Sequence, residues 1–144
     1  MSFNREPIYL ALFDRLRVIP GLVTVSRKLR HWTDVPAGEQ PALFLAQRRE
    51  AVNGTPGLPR IWQFQIDAYL YVNTNADPDA APATQLNLFL DGIQAALAPD
   101  VSGKQTLGGL VEHCWIEGNV ETDEGTLGDQ AVAIVPVAIK VTGY

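Results

Sequence analysis

Sulfur and imidazole are scarce in this chain: one cysteine, one methionine and two histidines stand among 144 residues. A lone cysteine, Cys114, forms no internal disulfide and points to a reducing compartment. No run of 18 apolar residues occurs, so no helix of membrane-spanning length is expected. The stretch 1–5 lacks the basic-then-apolar layout of a secretory signal. A soluble chain made in the cytoplasm follows as the expectation. Basic residues are rare in the second part: residues 61–144 hold two cations against eleven acids, while residues 1–60 hold nine against five. The net charge of −5 argues against a sequence-reading DNA binder, which is usually basic.

The composition is 47% hydrophobic and 19% charged, which excludes a disordered tail or low-complexity linker. The length fits one domain, and a chain of this size buries about 70% of its unfolded surface without staples. The charge is segregated: +4 over residues 1–60 and −9 over 61–144. Between Lys104 and Lys140 there is no cation, yet Glu112, Glu117, Glu121, Asp123, Glu124 and Asp129 all lie there. Such polarity lets the basic region of one copy meet the acidic region of another. A fold that mixes the two segments and cancels the dipole is the alternative.

Periodicity supplies the elements. A first helix starts at Asn4, a capping residue, with Pro7 in its first turn; Tyr9, Leu12, Phe13, Leu16 and Ile19 form its apolar stripe, and Pro20-Gly21 ends it. Strands are expected at 22–29 and 41–49, followed by a flexible loop at 53–59. The clearest strand is 61–73. Trp62, Phe64, Ile66, Ala68, Leu70 and Val72 face one way, and Gln63, Gln65, Asp67, Tyr69 and Tyr71 face the other, a face read as polar or aromatic and not core. A second helix spans 82–97, with Leu86, Phe89, Leu90, Ile93 and Leu97 inward. Two last strands, 110–121 and 130–142, are joined by an acidic turn over 122–129. Pro136 interrupts the final ladder, which makes that strand an edge or gives it a bulge. The expected fold is α+β: a single domain with a mainly antiparallel sheet of about five strands and two helices on one face.

Catalytic constellations are not legible. His113 and Cys114 are adjacent on a strand, point to opposite faces and cannot share a metal. Cys114 beside Trp115 reads as core. Ser2, Ser26 and Ser102 lack a nucleophile-elbow context. The carboxylates Glu121, Asp123 and Glu124 read as solvated turn acids. The Gly103-Lys104 pair lacks the glycines that precede a phosphate loop. No catalytic residue, cofactor or metal is therefore expected. The segment Arg27-Lys28-Leu29-Arg30-His31-Trp32 is basic and ends in an aromatic. It suits nucleic acid weakly, and Arg27, Arg30 and Trp32 suit a protein interface better.

Two blocks carry a family resemblance. The front block is Ile19-Pro20-Gly21, then residues 25–36 (Val25-Ser26-Arg27 through Val35-Pro36), then Glu39-Gln40-Pro41-Ala42-Leu43-Phe44. The rear block is 105–118 (Gln105-Thr106-Leu107-Gly108-Gly109 through Glu117-Gly118), then Gly128-Asp129-Gln130-Ala131. Together they resemble the tail terminator, or tail-to-head joining, minor tail proteins of long-tailed phages, in order along most of the chain. Loops 50–60 and 98–104 have no counterpart in the resemblance.

The resemblance implies a virion structural protein and not an enzyme. Its implied form is a hexameric ring of a small α+β domain on the finished tail tube. It stops tube polymerisation and joins the tail to the head connector. The implied partners are other copies of the chain, the tail tube protein and a connector or head-closure protein. DNA passes through the lumen without specific binding, and no membrane is involved. The implied location is the tail or neck of the virion, assembled in the host cytoplasm. A different neck or head-closure component, or a small cytoplasmic enzyme or ligand-binding domain, are the rival readings. Loop recognition on a rigid sheet makes Arg48, Arg49 and Arg60 the candidates for contact with the tube or connector. The acids from Glu112 to Asp129 are the candidates for a lumen or ring face, since an acidic lining repels phosphate.

Overall fold

In the computed structural model, which describes residues 2–75 and 77–144, apolar alternation builds one six-stranded sheet. Helix α1 (Arg5–Leu16) comes first, then β1 (Thr24–Ser26), β2 (Ala42–Asn53), β3 (Arg60–Asn73), α2 (Pro82–Ala96), β4 (His113–Ile116), β5 (Glu121–Leu127) and β6 (Gln130–Gly143). The sheet order is β1-β2-β3-β6-β4, with β5 also on β6. All pairings are antiparallel except β1 with β2, which is parallel.

The periodic face of β3 behaves as its pattern dictates. Phe64, Ile66, Ala68, Leu70 and Val72 are buried against Leu12 and Leu16 of α1 and Leu86, Phe89 and Ile93 of α2. Alanines at 131 and 133 of β6 leave room for the helices, while Val135, Val137 and Ile139 fill the rest of that face. Burying one such aliphatic side chain stabilises by about 1.5–3 kcal/mol. Both helices thus pack on one face, as the α+β reading requires. Pro82 opens α2 at its first turn. Asn4 does stand at the N-cap of α1, but its side chain makes no capping bond. The start of α1 is instead held by Arg5, whose guanidinium grips the Glu50 carboxylate at 2.8–3.0 Å.

Four expectations need correction. The acidic turn expected over 122–129 is mostly strand β5, the sixth strand of a sheet expected to have about five; only the residues between Leu127 and Gln130 turn. The strand expected at 22–29 is paired over three residues alone. The outer face of β3, expected as polar or aromatic and not core, does enter a core: Tyr71 is buried with Phe44, Ala42 and Val35 in a second, smaller cluster, and its hydroxyl donates to the Arg30 carbonyl at 2.7 Å.

The fourth correction concerns Pro136. Strand β6 is central, flanked by β3 on one side and by both β4 and β5 on the other. Within a strand a residue's N–H and C=O point to the same side. The Pro136 carbonyl accepts from Glu117 N at 3.2 Å, so the missing N–H also faces that side. There the partner strand is broken: β4 ends opposite Val137 and β5 begins opposite Ile134. The proline therefore costs no ladder bond, and it divides one outer strand into two.

Candidate interaction surface

The cations expected at an interface do not share one state. Arg27 and Arg30 are engaged within the chain. Arg27 forks onto Glu6 at 2.7 and 2.8 Å; these bonds raise the guanidinium pKa and lower that of Glu6. Arg30 bonds Glu39 at 3.1 Å and lies 5.5 Å from the Phe44 ring. Trp32 sits half-buried in a short 3₁₀ turn, packed on the second core, with its ring 5.3 Å from that of His31. The turn is capped by His31, whose Nδ1 accepts from Thr33 N at 3.2 Å.

Arg48, Arg49 and Arg60 belong to the long β2–β3 hairpin. Strand β1 covers β2 only from Ala42 to Phe44, so the rest of β2 has no outer partner among the described residues. A bulge between Gln47 and Arg49 interrupts this bare edge, a usual device against strand addition. Arg48 pairs with Asp67 at 3.2 Å. Arg49 lies opposite Gln65 and makes no ion pair among the described residues. Arg60 lies 5.7 Å from the Trp62 ring, and a positive-φ glycine, Gly54, lets the turn close against its stem. Beside these cations the hairpin end exposes three large apolar side chains, Val52, Leu58 and Ile61.

The acids, expected as one surface, are divided among several. Glu112 accepts from the Thr142 hydroxyl and pairs with Lys140 at 3.4 Å; the first of these contacts dominates in lowering its pKa. Glu117 lies in the β4–β5 crossing and accepts from Gln63 at 3.4 Å. Glu124 takes the helix-side face of β5, opposite Ala131, and accepts from Ala83 N at 2.9 Å. It supplies a carboxylate to the N-terminus of α2, whose own cap residue, Ala81, has none to give. Asp129 sits in the β5–β6 turn, where its carbonyl accepts from Thr74 N at 2.9 Å.

Glu121 and Asp123 fall on the open face, opposite Ile134 and Val132. With Trp32, Leu127, Val132 and Ile134 they line a groove of about 520 Å³. One carboxylate oxygen of Asp123, Oδ1, is buried without a hydrogen-bond partner among the described residues. This groove was missed because 122–129 reads as a turn; the β-branched Thr122 and Thr126 were the available signal.

A second groove of about 520 Å³ runs between the end of α2 and β4, lined by Leu90, Leu97, Pro99, His113, Trp115 and Val120 among others. His113 and Trp115 stack on the open face, 4.9 Å apart and 13° from parallel, and His113 Nδ1 accepts from Gln105 N at 3.1 Å. Cys114 turns into the core, as expected, and burial pushes its thiol up to about 12. It is protonated at neutral pH and unsuited to nucleophilic attack.

No protein-family model matches the chain, and no curated protein matches it in sequence. Several solved structures share its architecture. One is a chain of the virion of a native gene transfer agent particle, 13% identical, covering 93% of both chains with a TM-score of 0.52. Another, whose name states no function, is 16% identical, covers 99% of both chains and has a TM-score of 0.57. At these identities the likeness concerns the fold.

Proposed function

We propose that this chain is a virion structural protein of the tail terminator kind, forming a six-membered ring that caps the tail tube, stops its growth and joins the tail to the head connector. The observation that carries the reading is the end-to-end likeness of the fold to a chain of a virion particle. The ordered blocks 19–44 and 105–131 support it from the sequence side.

The charge distribution gives the ring its chemistry. A ring needs heterologous contacts, one patch meeting a different patch on the next copy. Cations collect on the β2 edge and acids on the β5 edge, at opposite sides of the same sheet. Asp129, in the β5–β6 turn, supplies negative charge to a channel through which DNA must slide without being held. Arg48 and Arg49 on the bare β2 edge contact the tube or the connector, the partners that this reading assigns. The location is the tail or neck of the particle.

Imaging of host cells infected with a phage lacking this chain tests the function. Overlong tails without heads are expected. Normal tails joined to heads would overturn the reading. A twelve-fold particle of the purified chain would overturn it in favour of a connector.

A further inference from the structure

We infer that the hairpin loop 54–59 of one copy docks into the Trp32–β5 groove of the next copy, with Leu58 entering the groove and Arg60 facing Glu121 and Asp123. The inference rests on the ring reading for its stoichiometry, but its geometry stands on the two surfaces themselves.

The groove asks for an occupant with two properties. Its floor is apolar, built from Trp32, Val132, Ile134 and Leu127. Its rim carries the carboxylates Glu121 and Asp123. Two carboxylates at the rim of an apolar floor favour a cation carried next to an apolar side chain. The fitting occupant presents an apolar side chain next to a cation.

The hairpin end has this combination. Leu58 is 59% exposed, and Val52, opposite Trp62, lies on the same face of the hairpin as Arg60. Arg60 stands two residues from Leu58, and among the described residues it makes no ion pair. Gly54 and Gly57 both hold positive φ, which fixes the loop in a shape that L side chains disfavour.

The two surfaces cannot meet within one copy. The groove lies beside Val132, which pairs with Tyr71, while the loop precedes Arg60, at the other end of β3. Eleven residues of strand place them roughly 36 Å apart. Their complementarity can be satisfied only between copies. Because the patches differ and lie at opposite ends of the sheet, the contact is head-to-tail, the kind that closes into rings or runs on as a filament.

Cysteine cross-linking of the full chain tests this directly, since the native Cys114 is buried. Leu58→Cys with Glu121→Cys in one chain should give, on mild oxidation, a covalent ladder running past dimer to closed oligomers. Leu58→Cys paired with Leu88→Cys, an exposed position on α2, should give no ladder. In the uncross-linked protein, Arg60→Glu and Glu121→Arg should each weaken association about tenfold, and the double reversal should restore most of it. Absence of the ladder, or an equal ladder from the control pair, overturns the docking. The wild-type mass by light scattering judges the ring reading separately: oligomers without the cross-link would leave the ring standing and remove this contact.

Discussion

Gln40 and Gln130, ninety residues apart, exchange two amide hydrogen bonds at 2.8 and 3.0 Å in the interior. Gln40 also donates to the Val35 carbonyl, and Gln130 to the carbonyls of Val72 and Ala131. The pair fastens the segment before β2 to the start of β6 and holds Val35 in the second core under Trp32. Losing one amide strands the other. Gln40→Leu and Gln130→Leu should each cost about 1–3 kcal/mol, and the double variant should cost less than the sum of the two. Denaturant unfolding of the four proteins checks this.

The passage between β4 and β5 depends on a glycine. Gly118 has φ +113°, and a Cβ there would meet Pro136 Cγ at 3.2 Å. Gly118→Ala should therefore destabilise by about 1–3 kcal/mol through strain in the backbone and pressure on the proline. Gly38→Ala, where φ is ordinary and a Cβ meets nothing within 4 Å, should be near neutral. Thermal unfolding of both variants separates the site from glycine loss in general.

Asp123 links stability to assembly in opposite senses. Asp123→Val removes the unpartnered buried oxygen and places a β-branched residue in a strand. The isolated chain should gain about 1 kcal/mol. The same change removes an acid from the groove, so self-association should fall. A higher melting temperature together with a lower mean mass is the expected result.

Glu112 makes part of the stability pH-dependent. The Thr142 hydroxyl, then Lys140, hold its pKa below the ordinary value. Its contribution is complete above the ordinary carboxylate pKa and is lost as pH falls through the depressed one. The pair is substantially solvent-exposed, so the effect is about 0.5 kcal/mol. Glu112→Gln should melt below wild type at pH 7, and the gap should close as pH falls through the depressed Glu112 value.

Much of this fold is legible in the sequence, and the losses have physical causes. Helix stripes and the period-two pattern of 61–73 report burial on one face, and that burial sets the elements. Strand β5 escaped because it is an edge strand, solvated along most of its length, so no apolar alternation marks it. The central place of β6 escaped because a proline usually signals an edge; here the break is in the neighbouring strand. Arg27 and Arg30 read as interface cations because their partners, Glu6 and Glu39, are brought to them only by the tertiary fold. The groove was hidden for a related reason: Trp32 and Glu121 lie 89 positions apart, and only pairing through β6 assembles their surface.

The measurement that tests the central claim most directly is an electron-microscopic reconstruction of a tailed particle containing this chain. The account predicts a single ring of six copies between tail tube and head connector, with loop 54–59 of each copy seated on its neighbour. Density for the chain elsewhere in the particle, or copies at that junction without mutual contact, would contradict it.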